Sequence, residues 1–365
     1  MQYRNTKYLF EGKPLTGVQQ KNSDLNIREL ENGETILKSM PRRIVLELTN
    51  VCNLNCVMCG RNATAFKPTY LDMASFYSLE PLFDTVEEVT LMGWGEPTMH
   101  PQFEEMLQVI AKHSARKYFC TNGMRLGELH RTIFECDVDV FAVSVDGATQ
   151  ETNGEIRNGS DLERINHNLM NISSEKQARG LKYPYINYVF CAMNRNLNQL
   201  PDVVRMAAVV GLEEVKVVFL TAFNEDLMHE TLFEGTDEVK RIFDTAAGIA
   251  EKLGILLKLP YVRGTDPAGA RLHRDCFVAY RDFFLGSDGY VRPCMSTSDI
   301  FFKYEPSNDF MDVWNAPEYQ KYRKCVNTAE MSKQCKNCYQ SSHCNWNNKK
   351  SYIQLGEEFA PNWRE

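Results

Sequence analysis

RIVLELTNVCNLNCVMCGRN, residues 43–62, decides how the rest of the chain is read. Its first seven residues (43–49) are an apolar, β-branched run of strand length, and Cys52, Cys56 and Cys59 follow at once in C-x3-C-x2-C spacing. Five more runs of the same kind succeed it: EVTLMGWG (88–95), RKYFCTNG (116–123), DVFAVSVDG (139–147), YINYVFCAM (185–193) and EVKVVFLTA (214–222). Each ends near Gly, Asn or Asp, as a turn requires. Between them lie segments of helical period. In PQFEEMLQVIAKHS, for example, Phe103, Met106, Leu107 and Ile110 share a face and proline stands at the start.

Apolar strands alternating with amphipathic helices predict an α/β fold with parallel strands buried on both faces. Right-handed crossovers make six such units curl towards a barrel, and six rather than eight leave it open on one side. The expected architecture is therefore a partial (β/α)6 TIM-like barrel over residues 41–262. A small cysteine-rich domain (263–346), a polar N-terminal extension (1–40) and a tail (347–365) surround it. One more helix is expected near Thr236 to Leu253, then a short run ILLKLP. The first 40 residues carry no readable pattern beyond a turn at EGKPLTG.

Bulk properties narrow the function. The chain is 43% hydrophobic and 24% charged, enough to build a sizeable core. Its net charge is −7, so no basic surplus is available for a nucleic-acid backbone. Nothing resembles a signal peptide or a membrane span, and a cytoplasmic protein is expected. Twelve cysteines in a reducing compartment point to metal or cluster ligation rather than disulfides. Three fall between Cys52 and Cys59 and six between Cys276 and Cys344, which suggests two sites.

The number three matters at the first site. A [4Fe-4S] cube has four irons, and three thiolates leave one iron open. An amino acid's amine and carboxylate can chelate that iron and bring a sulfonium beside the cluster for one-electron reduction. The alternatives, structural thiols or zinc, lack a fourth ligand at zinc-finger spacing nearby. A loop that follows a barrel strand also lies at the C-terminal face, where such barrels carry their chemistry.

The segment resembles the signature of the radical S-adenosylmethionine (SAM) superfamily, and the likeness continues along the chain. GWGEP (Gly93, Trp94, Gly95, Glu96, Pro97) is similar to the family's GGEP motif, with Trp94 as a departure at its second position. The resemblance implies that this strand end and Glu96 hold the methionine amino group. TNG, with Asn122, and SVDG, with Ser144 and Asp146, resemble family strand ends around the cofactor. Arg157 matches an arginine that pairs with the methionine carboxylate. Met58 stands where the family usually has an aromatic residue whose main chain meets adenine.

The C-terminal cysteines resemble the auxiliary-cluster domains called SPASM and twitch. Cys276 and Cys294 flank an expected hairpin whose turn is GSDG, and Cys335 and Cys338 form a C-x2-C pair. These four are the expected ligands of one auxiliary [4Fe-4S] cluster, with Cys344 or Cys325 as substitutes and zinc as the other metal. Asn348 stands where a longer SPASM pattern would place another cysteine. Cys120, Cys136 and Cys191 read as buried thiols, and Cys191 alternatively as a hydrogen-atom donor to a substrate radical.

The resemblance implies an oxidoreductase. An adenosyl radical abstracts hydrogen from a small polar, carbohydrate-like substrate, and the auxiliary cluster takes the second electron. A flavodoxin- or ferredoxin-like partner supplies the first electron. The alternatives are a peptide or protein maturase and, in another class, a non-catalytic iron–sulfur or zinc protein.

Overall fold

The computed structural model describes residues 13–63, 67–223, 225–232, 235–260, 276–295, 297, 299–328 and 330–336. Helix α1 (Gly17–Asn32) precedes strand β1 (Arg43–Leu46), and the cysteine loop carries a two-residue strand, β2 (Asn55–Cys56). Then follow α2 (Met73–Leu79), β3 (Glu88–Leu91), α3 (Phe103–Ile110), β4 (Arg116–Thr121), α4 (Leu126–Glu135) and β5 (Val140–Ser144). The chain continues through α5 (Gln150–Ile156), β6 (Arg157–Asn158), α6 (Leu162–Ala178), β7 (Tyr185–Ala192), α7 (Leu200–Val210), β8 (Glu214–Phe219), α8 (Thr236–Leu253) and β9 (Leu256–Lys258). The C-terminal part adds α9 (Val278–Arg281), β10 (Asp282–Leu285), β11 (Tyr290–Arg292), β12 (Phe302–Lys303), α10 (Phe310–Trp314), α11 (Pro317–Cys325) and α12 (Lys333–Lys336).

The six expected strands are β1, β3, β4, β5, β7 and β8, neighbours in that order and all parallel. The run ILLKLP supplies β9, which extends the sheet in parallel beside β8. Helices cover one face, and the main core lies between them and residues such as Ile44, Val89, Phe119, Phe141, Ile186 and Val215, all essentially inaccessible. Strand alternation and register put Arg43, Glu88, Tyr118, Cys120, Ser144, Cys191 and Lys216 on the opposite face. That second face mixes these groups with Val45, Ala142, Val189 and Val218.

Two features exceed the sequence reading. First, the C-terminal hairpin continues the same sheet: β10 pairs in parallel with β1, and β11 and β12 follow antiparallel. The expected GSDG turn joins β10 to β11, with Gly289 at φ 80°. At the seam the Arg43 guanidinium donates to Asp282, Nε to Oδ1 at 3.1 Å. Burial disfavours the Asp282 carboxylate, yet Arg281 and Arg43 outweigh it and hold the acid down at about 2.

Second, residues 17–32 form α1, opened by a reciprocal capping box of Thr16 and Gln19 and closed by Gly33 at φ 68°. The helix buries polar side chains. Gln19 donates to the Val86 carbonyl at 2.8 Å and Asn26 to the Tyr280 carbonyl at 2.8 Å, while Glu29 accepts from the Lys38 amide at 2.7 Å. No apolar stripe announces such a helix. α3 starts at Phe103 rather than at the expected proline.

Candidate functional site

The loop after β1 is tied down from two directions. Cys56 pairs with Arg157 and Asn55 with Asn158 across β2 and β6, and the Val57 amide donates to the Ile156 carbonyl at 2.9 Å. From the β3 side, the Glu96 amide donates to the Val51 carbonyl at 2.8 Å. The two glycines of GWGEP allow this approach. A Cβ on Gly95 would meet the Thr49 carbonyl oxygen at 2.3 Å and that of Val51 at 2.5 Å, and one on Gly93 would meet the Glu47 side chain at 2.3 Å.

Each of the three thiols has a hydrogen-bond donor. Cys52 Sγ accepts from the Leu54 amide at 3.4 Å and from Asn122 Nδ2 at 3.8 Å. Cys56 Sγ faces the Arg157 guanidinium at 3.9 Å, and the Arg61 backbone amide serves Cys59. Burial pushes the Cys56 thiol up to about 11 against the pull of Arg157, and it also raises Cys59. Coordination to iron removes such protons outright. Three half-buried free thiols with N–H donors aimed at their sulfurs fit an iron–sulfur cluster. Among the described residues no three ligating side chains converge closely enough to chelate a single ion, whereas a cube takes one thiolate per iron.

Arg157 and Asp146 are brought together. Their side chains form a buried ion pair, Nε to Oδ2 at 2.7 Å, and Asp146 Oδ1 accepts the Cys191 amide at 2.6 Å. Asn153 accepts the Asp146 amide at 2.8 Å, which fixes the turn after β5. Arg157 thus has an internal carboxylate partner besides the thiol that it faces.

Glu96 is buried and its two oxygens are engaged within the chain. Oε1 accepts from Thr98 Oγ1 and Thr121 Oγ1 at 2.7 Å each and from the Thr98 amide at 3.3 Å, and Oε2 accepts the Asn122 amide at 2.7 Å. Burial pushes its carboxyl above the usual carboxylate range, and these bonds only partly offset that. The carboxylate therefore locks the GWGEP turn to TNG. Asn122 in turn donates to Asn53 Oδ1 at 2.7 Å, on the cysteine loop.

Trp94 packs edge-on to Phe223 with centroids 5.4 Å apart, and the two rings close over Gly60 so tightly that a Cβ there would lie 2.6 Å from one and 3.1 Å from the other. Met58 and Val57 join a small apolar cluster of Ile156, Met193, Leu220 and Cys191. Cys191 packs there as a hydrophobe would, and burial drives its thiol far above the usual range. Ser144 Oγ lies 3.9 Å from Cys120 Sγ.

Glu47 was not anticipated. Its Oε1 accepts the Trp94 amide at 2.7 Å, and its Oε2 accepts Ser287 Oγ at 3.1 Å, so one buried carboxylate joins GWGEP to the C-terminal hairpin turn. A lone carboxylate inside the apolar run RIVLELT (43–49), directly after β1, was the available signal.

At the C-terminal end, Cys276, Cys294 and Cys335 are half-buried thiols. Burial lifts the Tyr322 phenol far above its usual range, and Cys276, Cys294 and Cys335 reinforce it, in that order, with the phenol bonded to Cys276. Three segments distant in sequence thus present thiols to one side chain. Cys325 ends α11, with its carbonyl held by Thr328. Cys338 and Cys344 lie outside the described residues, as does the tail from 347.

Among the described residues no helix is long and apolar enough to cross a membrane.

Comparison with known proteins matches residues 46–180 to the radical SAM superfamily and residues 276–339 to SPASM, an iron–sulfur cluster-binding domain. A tungsten-containing aldehyde ferredoxin oxidoreductase cofactor-modifying protein of Pyrococcus furiosus is 24% identical over 77% of this chain and 82% of its own. The mycofactocin maturase MftC of Mycobacterium tuberculosis is 29% identical over 47% of this chain, and that match spans only 43% of MftC. SuiB of Streptococcus suis bound to S-adenosylmethionine shares the fold, with a TM-score of 0.63 at 16% identity over 93% of this chain and 81% of SuiB. The second metal site is thereby assigned to iron–sulfur rather than zinc. With its parallel sheet and three-thiol loop, the chain belongs to the radical SAM superfamily and is a SAM- and [4Fe-4S]-dependent enzyme with a C-terminal auxiliary-cluster domain.

Proposed function

We propose that this enzyme is a maturase that oxidatively modifies a peptide or cofactor precursor. The observation that carries this reading is the alignment with the Pyrococcus furiosus cofactor-modifying protein, which covers 77% of this chain and 82% of that protein's length. The likeness to MftC over 47% of this chain also supports it. A small polar metabolite, the expectation from the sequence, has weaker support. What favours it as a second reading is the pair of polar side chains, Ser144 and Lys216, on the second face of the sheet.

In this reading Cys52, Cys56 and Cys59 hold the cluster with the open iron, which supplies a 5′-deoxyadenosyl radical when SAM is bound and reduced. Gly93, Trp94, Gly95, Glu96, Asn122, Ser144, Asp146, Arg157 and Met58 build the SAM pocket. Glu96 and Asn122 fix the strand ends against the cysteine loop, and Asp146 holds the Arg157 guanidinium, whose remaining donors suit a carboxylate. Cys276, Cys294, Cys335 and Cys338 hold the auxiliary cluster, which accepts the second electron of an oxidation. A flavodoxin- or ferredoxin-like protein of the cytoplasm supplies the first.

The test is deuterium transfer. Anaerobically reconstituted enzyme, SAM and dithionite are incubated with deuterated peptides encoded beside its gene and, separately, with deuterated aminocyclitols. Label in 5′-deoxyadenosine from a peptide supports maturation, and label from the aminocyclitols alone overturns it.

A further inference from the structure

Cys276 is gripped at its backbone by a residue that no motif announced. Asn327 Oδ1 accepts the Cys276 amide at 2.8 Å, and Asn327 Nδ2 donates to the Cys276 carbonyl at 2.9 Å. One side-chain amide thus satisfies both main-chain groups of a residue 51 positions away, as a paired strand would. Asn327 itself stands at φ 65°, in the left-handed region that asparagine tolerates better than most residues.

What holds Asn327 is α11. Arg323, on its last turn, is buried and donates to the carbonyls of Trp314 at 2.7 Å, Thr35 at 2.9 Å and Ala279 at 3.2 Å. Its guanidinium also stacks on the Trp314 ring at 4.5 Å. The helix is therefore anchored in the core. It grips the Cys276–Ala279 segment at two points, Ala279 through Arg323 and Cys276 through Asn327. Tyr322, directly before Arg323 in sequence, bonds through its phenol to the Cys276 side chain.

A cluster whose ligands come from separate segments needs them brought together before iron arrives, and the ordering entropy of a loose ligand counts against affinity. We propose that Asn327 is a positioning residue for the auxiliary cluster: its amide clamp sets Cys276 against the α11–α12 segment that carries Cys335. The inference rests on Cys276 being a cluster ligand.

Asn327→Gly keeps the left-handed backbone accessible and removes both bonds. Anaerobically reconstituted wild type should bind about eight irons per chain and Asn327→Gly close to about four, the content of one cube. The remaining iron should still show the change in its electron paramagnetic resonance spectrum on adding SAM, which also reports that the barrel is folded. Asn327→Asp, which keeps the acceptor to the Cys276 amide, should retain an intermediate iron content. Cys276→Ala is the control for the ligand itself. If Cys276→Ala loses the auxiliary iron while Asn327→Gly keeps the wild-type content, spectrum and auxiliary-cluster potential, the positioning role is overturned and the ligand reading stands. If Cys276→Ala retains all its iron, the ligand reading fails and takes this inference with it.

Discussion

Arg157 Nε lies 2.7 Å from Asp146 Oδ2 in a pair that solvent scarcely reaches, with exposures of 12% and 0%. The pair is what fixes a cation beside Cys56. Breaking it from one side leaves the other charge buried alone. Asp146→Asn should therefore cost about 3–5 kcal/mol of stability. It should also weaken SAM binding at least tenfold by freeing the guanidinium. Chemical denaturation and equilibrium SAM binding by the reconstituted protein check both effects.

Gly95→Ala places a methyl group against the carbonyls of Thr49 and Val51, main-chain atoms that have nowhere to retreat. Overpacking of this kind costs about 1–3 kcal/mol, and here it falls on the cysteine loop. The variant should lose most of its 5′-deoxyadenosine formation and about half its iron, leaving the auxiliary cluster's complement. A variant with full iron content and wild-type cleavage would refute the tight approach.

Glu96→Gln tests whether that carboxylate organises the strand ends. Each of its oxygens accepts a backbone N–H, from Thr98 on Oε1 and from Asn122 on Oε2, so an amide NH2 placed at either position meets another donor. An unsatisfied buried donor costs about 1–3 kcal/mol. The melting temperature should drop, and KM for SAM should rise more than kcat falls. A selective loss of kcat with unchanged stability would instead mean that Glu96 acts on the reacting cofactor.

A pH effect is expected on the outer surface, where His113 sits between Asp84 at 2.9 Å and Glu80 at 3.2 Å. Burial opposes protonation, but the two carboxylates outweigh it and raise the imidazole above its usual 6.5. A raised folded-state value means stabilisation that is fully present below about 6.5 and is lost as pH rises through the folded value. His113→Gln should thus lower the melting temperature at pH 6 and scarcely change it at pH 9, with a gap below about 1 kcal/mol for so exposed a site.

Much of the barrel was legible because its strands are continuous apolar runs and its helices carry one-sided periods. Phe119 and Phe141, from the apolar runs that form β4 and β5, stack at 5.3 Å in the core. The cysteine loop was legible because three thiols at fixed spacing have few uses. Helix α1 was not, since it buries Gln19, Asn26 and Glu29 through hydrogen bonds rather than apolar contact. Neither was the pairing of β10 with β1. It joins Arg43 to Asp282, 239 positions apart, and no local pattern reports so distant a partner. The same holds for Asn327, an ordinary asparagine until its two bonds to Cys276 are seen.

The central claim is that the loop of Cys52, Cys56 and Cys59 makes the radical. Its most direct test is 5′-deoxyadenosine formation from SAM under dithionite, comparing wild type with a variant in which all three cysteines are alanine. The wild type should form 5′-deoxyadenosine, and the variant should form none while keeping about four irons in its auxiliary site. Continued cleavage by the triple variant would contradict the account.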